Sequence, residues 1–200
     1  MGKLNEVFKP DGRIMDYSLQ EEIEHGIYVS RLAKATAQEM GLPKDLVYEI
    51  SIAGLLHDIG KLCVHIDNPE NLLITQEMKY VRSHARLSWH FLYERDYSLN
   101  ILDTVLHHHE NYDGTGYPHG QRGEEIHIGA RIVRVCDVFA ALTTDRPYRS
   151  QFSKNDAISM MIEEIQHFDL EVFLHFQRVI HRVGTSYQYS FKEEIINGTD

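Results

Sequence analysis

Three consecutive imidazoles, His107, His108 and His109, run directly into Glu110 and then into Asp113-Gly114-Thr115-Gly116-Tyr117-Pro118. Three histidines at a helix end have no packing rationale, whereas imidazole is a common ligand of transition metals and a proton carrier near neutral pH. Upstream, His57-Asp58 closes an apolar run, Ile52 to Leu56, just before Gly60-Lys61. A carboxylate set against an apolar run costs desolvation energy unless a cation offsets it. Adjacent residues point about 100° apart on a helix, so His57 and Asp58 can supply a nitrogen and a bridging oxygen to one cavity. A hydrogen-bonded, purely structural His–Asp couple accounts for that dipeptide equally well. Glu21 and His25, four apart, share a helix face and can chelate or form a surface pair. His84 sits between Val81 and Leu87. Asp137 interrupts Ile132, Val133, Val135, Val138 and Phe139, and needs either a partner such as Arg134 or an outward orientation.

Singly, each residue is ambiguous. Together, Glu21, His25, His57, Asp58, His84, His108, His109 and Asp137 fall on five predicted helices. So many nitrogen and oxygen donors without a thiolate suit iron, manganese or zinc in an open site rather than a closed structural zinc. They exceed what one ion can hold, which points to a multinuclear site. Two metals about 3.5–4 Å apart can activate a bridging water and clamp a phosphoryl group. His107 lies on another helical face and stays outside the set; His65, His119 and His127 read as surface residues, and Tyr80, Trp89 and Tyr93 as core or groove lining.

The elements that must position these groups are helical. Ser18 and Glu21 form a capping-box pattern ahead of Ile23, Ile27, Leu32 and Ala35, with Gly41 as the stop. Pro43 suits the first turn of a second helix through Leu46, Ile50, Ala53 and Leu56, which Gly60 would end. Residues 63–74 read as an irregular connection. Thr75 opens a third helix and Ser98 a fourth. Asn111 to Glu125, with four glycines and a proline, must be a loop, and Gly114 and Gly116 would permit positive-φ turns there. Ile128–Leu142, Ser153–Ile165 and Leu170–Val183 complete an all-α bundle of about seven helices, because β-branched residues recur only at helical spacing. The expected organisation is a 1–17 leader, one compact domain over 18–183 and a polar tail over 184–200, with no sensory domain ahead of it.

Composition narrows the partners. Twenty basic against 30 acidic residues give a formal charge of −10, which opposes polymeric nucleic acid but not a small phosphate ligand held by cations. No run approaches the roughly 18 apolar residues of a membrane span. The two cysteines, Cys63 and Cys136, make no paired framework, which predicts a reducing, cytoplasmic setting.

The order His57-Asp58-Ile59-Gly60-Lys61, His84, His108-His109-Glu110-Asn111-Tyr112-Asp113-Gly114-Thr115-Gly116-Tyr117-Pro118, Ala130 to Phe139 with Asp137, and Asp145-Arg146-Pro147-Tyr148-Arg149 resembles the HD-GYP subfamily of the HD metal phosphohydrolases. The resemblance spans Ser18 to Val183. It implies a helical phosphodiesterase that linearises cyclic di-GMP to pGpG or GMP with two or three iron or manganese ions. By that resemblance the ligands are His25, His57, Asp58, His84, His108, His109 and Asp137, with Asp58 bridging and Glu21 serving a third metal. Lys61 would face the scissile phosphate, and Arg146 and Arg149 would contact the ligand. The Gly116-Tyr117-Pro118 loop could dock a protein partner such as a diguanylate cyclase domain. Three departures are visible. Ala140 stands where the family has aspartate, Ala85 where it has proline after the third histidine, and the connection from Lys61 to Thr75 lacks the usual proline-containing, lysine-bearing sequence. They leave open a mixed cyclic dinucleotide such as cyclic GMP-AMP, or a nucleotide phosphomonoester, as substrate. A degenerate binding module is the remaining alternative.

Overall fold

The computed structural model describes residues 19–63, 74–145 and 149–183. Ser18, His65, Arg146, the leader, residues 64–73 and the tail lie outside them. Seven α-helices follow in order: α1 (Leu19–Glu39), α2 (Lys44–Leu56), α3 (Ile74–Tyr93), α4 (Leu99–His107), α5 (Ile128–Thr143), α6 (Lys154–Glu163) and α7 (Leu170–Val183). Short 3-10 turns occupy Ile59–Cys63, Gly123–Glu125 and Ile165–His167, and no β-strand occurs among the described residues.

Helix α5 is apolar on nearly every face, and that composition makes it the buried axis of the bundle. Ile132, Val133, Val135, Cys136, Phe139, Ala140 and Leu142 all lie in the main core, where Phe139 meets Phe176 of α7 edge-on at 5.1 Å. Val29, Leu32, Ala33 and Ala37 bring α1 into the same cluster, and Ala157 and Met161 bring α6. A second cluster joins Ala53 of α2, Leu92 of α3, and Ile101, Leu102 and Val105 of α4.

Local chemistry sets the helix ends. Ser98 and Ser153 cap α4 and α6 by accepting the amide N–H of Ile101 and Asp156. His127 does the same for α5 through Gly129 N–H, at 3.1 Å. Gly41 takes φ +73° just past α1, as a helix stop requires. Two boundaries differ from the expected ones. Pro43 precedes the first turn of α2 as its cap. The helix ends at Leu56 rather than Gly60, so His57 and Asp58 leave from a turn and not from a helix face.

Two close backbone approaches fix the relative placement of the elements. A Cβ on Gly26 would lie 2.5 Å from the carbonyl oxygen of Leu55, so α1 and α2 touch there only because position 26 has no side chain. A Cβ on Gly60 would lie 2.3 Å from the carbonyl oxygen of His84. The Gly60 N–H instead donates to Ser88 Oγ at 2.8 Å, which pins the turn carrying His57 and Asp58 against α3.

Candidate metal centre

Five chain segments deliver their donors to one cleft. His57, wholly buried beyond the end of α2, donates from Nδ1 to the Gly54 carbonyl at 2.9 Å. That carbonyl is one of the acceptors a helix C-terminus leaves unpaired. His108, past the end of α4, repeats the device on the Val105 carbonyl at 2.7 Å. With the proton on Nδ1, each Nε2 turns a lone pair into the cleft.

Asp58 lies between two groups of these nitrogens. Its Oδ2 is 3.1 Å from His57 Nε2, and its Oδ1 is 3.1 Å from His84 Nε2 and 3.8 Å from His108 Nε2. His84 Nε2 is in turn 3.3 Å from His108 Nε2 and 3.0 Å from His109 Nε2. On the other side, Asp137 Oδ1 is 3.0 Å from His25 Nε2 and 3.7 Å from His57 Nε2. Two groups capable of holding an ion result: Asp58, His84, His108 and His109; and His25, His57 and Asp58. They share Asp58.

The donor set fits divalent metals. Buried Asp58 Oδ1 has no hydrogen-bond partner, and an orphaned buried polar atom is costly unless something binds it. Three imidazole nitrogens within 3.3 Å of a neighbour repel unless a cation or proton lies among them. Burial favours the neutral form of His108 and His109, holding His108 down to about 3 and His109 well below its ordinary range. Burial alone would raise Asp58, yet His57, Lys61 and His84 hold it well below a carboxylate's usual value. Burial likewise opposes ionisation of Asp137, but hydrogen bonds from His25 and His57 hold it well below that value too. Neutral imidazoles beside ionised carboxylates are the protonation states that metal ligation requires. His57 is the exception: burial lowers it, but Asp58 and Asp137 outweigh burial and raise it to about 10. The same negative field attracts a cation.

Two expected residues are placed differently. Glu21 is exposed on the first turn of α1 and belongs to neither group. Its neighbour Glu22 turns inward instead, with Oε2 buried 3.6 Å from Lys61 Nζ. An i,i+3 carboxylate reaches the His25 face as readily as an i,i+4 one, and Lys61 attracts it. Lys61 itself contacts Asp58 and so enters the cleft as expected. Arg149 does not face it. Its guanidinium donates to the carbonyls of Ala141 (2.8 Å), Leu142 (3.1 Å) and Ser150 (2.9 Å) and lies over Phe152, so it caps the end of α5.

The Gly-rich loop forms a wall of the cleft. Tyr117 stacks on His109 with ring centres 4.7 Å apart, and Arg82 sits 5.1 Å above the Tyr117 ring. Asp113 closes a turn by accepting from Thr115 N–H and its hydroxyl. Gly114 has φ +84°, as expected. Gly116 is needed for space rather than for φ, because a Cβ there would lie 2.2 Å from Asn111 N. Pro118 follows through a cis peptide. Glu110, buried, accepts the amides of His119 and Gly120. Arg134 is no partner of Asp137 in a hydrogen bond; it grips Asn111 Oδ1 at 2.9 and 3.2 Å. Glu22 and Glu110 went unassigned in the sequence, and Arg134 was weighed only as a partner of Asp137.

A family model described as HD domain matches residues 11–172. The chain belongs to the HD domain family. It is 42% identical over 159 residues to a protein of Pseudomonas aeruginosa named cyclic di-GMP phosphodiesterase, covering 78% of this chain and 38% of that one. A 3'3'-cGAMP-specific phosphodiesterase of Vibrio cholerae is 33% identical over 168 residues, covering 80% and 38%. The chain thus spans 38% of the length of each of these relatives. An HD-GYP-type protein from Bdellovibrio bacteriovorus shares the fold with a TM-score of 0.65 at 20% identity, over 84% of this chain and 55% of that chain.

Proposed function

We propose that the chain is a metal-dependent phosphodiesterase that hydrolyses cyclic di-GMP to pGpG or GMP. One observation carries this reading: two donor groups from four segments converge and share Asp58, the arrangement a dinuclear hydrolase needs. Several relatives 30–42% identical are named cyclic di-GMP phosphodiesterases, in agreement with it. Iron or manganese is the expected metal, because the donors are imidazole and carboxylate with no thiolate.

His57, Asp58, His84, His108 and His109, with His25 and Asp137, would hold the ions. Bound there, the metals supply Lewis-acid polarisation of a phosphoryl oxygen and a water acidic enough to lose its proton near neutral pH. The protein's own groups then act on the substrate. Lys61, beside Asp58, places a fixed cation where negative charge develops on the phosphoryl oxygens. Gly54 and Val105 carbonyls hold His57 and His108 in the tautomer that keeps Nε2 free. Tyr117 keeps the His109 ring from turning. The two groups support two ions; Glu22 is the nearest candidate for a third contact. No described helix is long and apolar enough to cross a membrane, and Cys136 is buried and free, in keeping with a reducing cytoplasmic setting. A protein partner at Gly116-Tyr117-Pro118 has less support, since Tyr117 stacks on a metal ligand.

The test is product analysis after anaerobic loading with Fe(II) or Mn(II). The expected products are pGpG or GMP, with hydrolysis abolished by Asp58→Ala. A metal-replete protein that leaves cyclic di-GMP intact refutes the substrate. A second reading, cleavage of cyclic GMP-AMP, is favoured by the names of two relatives 31–33% identical, both 3'3'-cGAMP-specific phosphodiesterases. A substrate panel separates the two.

A further inference from the structure

Beside the metal cleft lies a cavity of about 510 Å³, reached across His109 and walled by Tyr117 and Arg134 on one side and by Glu164 and Gln166 on the other. The volume is within the range that admits a nucleotide-sized ligand. The far wall comes from the turn after α6, a segment outside every motif of the metal site. Glu164 is nearly inaccessible, at 5% exposure, yet no lysine or arginine pairs with it among the described residues. Its Oε2 accepts from Gln166 Nε2 at 3.1 Å and lies 3.5 Å from His167 Nδ1. Both contacts fall on Oε2, so Oε1 accepts from no described residue and is left to a donor in the cavity.

We propose that Glu164 reads the guanine base of the substrate and is the residue that selects guanine over adenine. The proposal takes its ligand class from the cyclic-dinucleotide reading above. A carboxylate offers two acceptors side by side. The Watson–Crick edge of guanine offers the matching pair of donors, N1–H and the N2 amino group. Adenine presents one amino donor beside a bare ring nitrogen, whose lone pair would face a carboxylate oxygen. The rest of the cavity suits the remaining parts of a nucleotide. Arg134, held by Asn111, brings a fixed cation next to His109 for phosphate. Arg82, exposed above the Tyr117 ring, offers its guanidinium plane as a stacking surface for a purine. The base then lies against Glu164 while its phosphate faces the metal ligands.

The decisive variant is Glu164→Gln, which keeps the shape but replaces one acceptor with a donor, a pattern that complements adenine. Calorimetry with GMP and AMP on the full metal-loaded chain gives the preference, and cyclic di-GMP and 3'3'-cGAMP turnover gives its consequence. Wild type is expected to prefer GMP. The variant, with unchanged metal content and a normal unfolding transition, is expected to lose about tenfold or more of that preference. Glu164→Ala should lose it without gaining AMP. Wild type that binds GMP and AMP equally, or a variant with an unaltered ratio, overturns the proposal even if cyclic di-GMP is hydrolysed. Conversely, a Glu164-dependent GMP preference in a protein that cleaves no cyclic dinucleotide sustains the proposal and refutes the proposed reaction instead.

Discussion

Asp58 Oδ1 approaches His84 Nε2 to 3.1 Å, across the junction between the turn after α2 and the middle of α3. The other oxygen of the same carboxylate is 3.1 Å from His57. A single side chain therefore joins both donor groups, and its loss should empty both rather than one. Asp58→Asn is expected to lower metal content at both positions and to cut turnover by at least about 100-fold. Metal analysis after anaerobic loading checks this. Loss of only one equivalent would show that the groups bind independently.

Tyr117 acts on the metals only through His109, on which its ring stacks at 4.7 Å. Tyr117→Phe keeps the ring and should keep metal affinity. Tyr117→Ala frees the imidazole to rotate and should weaken binding about 10- to 100-fold, the usual effect of removing a residue that orients a ligand. Competition titration with a chelating dye distinguishes the two variants.

How far the sequence revealed this site depends on which interactions are local. The helices were legible because their apolar spacing is periodic, and Leu170–Val183 falls where that spacing places it. The seven histidines and aspartates that meet in the cleft were legible because such residues set into apolar runs cost desolvation energy unless a cation or a partner receives them. Glu22 was not, since choosing between i,i+3 and i,i+4 depends on Lys61, a residue about forty positions away. Arg149 was misassigned for a similar reason. The carbonyls it satisfies belong to α5, and only the packed turn after that helix brings them together. Glu164 carries no sequence signal at all, because its environment is made by the Gly-rich loop across the cavity.

Arg149 as a helix cap predicts a stability defect without a substrate defect. Three carbonyls accept from its guanidinium, and hydrogen bonds to a charged group contribute about 1.5–3 kcal/mol each at most when partners are otherwise unsatisfied. Arg149→Ala should destabilise the fold by about 2–4 kcal/mol, while KM at a temperature well below the transition stays within about twofold. Denaturant unfolding and steady-state kinetics on one preparation check both halves. A large KM increase with little loss of stability would restore the substrate-binding role.

Glu110 anchors the loop by accepting the amides of His119 and Gly120 at 2.7 and 3.1 Å. Glu110→Gln retains an acceptor oxygen for these amides, whereas Glu110→Ala leaves two amides facing a gap. The alanine variant should lose about 2–4 kcal/mol and the glutamine variant distinctly less. Amide hydrogen exchange at 117–120 should quicken in the alanine variant first.

His127 gives the fold a pH response remote from the metals. Its Nδ1 accepts Gly129 N–H at 3.1 Å to cap α5, a bond possible only while that nitrogen is unprotonated. Burial, with Arg131 and His107 nearby, lowers its proton affinity below the ordinary histidine value, while Asp103 and Glu49 partly oppose this. The sign follows from linkage. The unfolded chain takes up the proton first as pH falls, so the contribution of His127 is complete above the unfolded value of about 6.5 and is lost as pH falls toward the lower folded value. Asparagine caps helices equally well and does not titrate in this range. The stability of wild type relative to His127→Asn should therefore decline between pH 7 and pH 5, measured by denaturant unfolding of the two proteins side by side. A difference that stays constant over that range would mean that His127 caps α5 without its protonation affecting the fold.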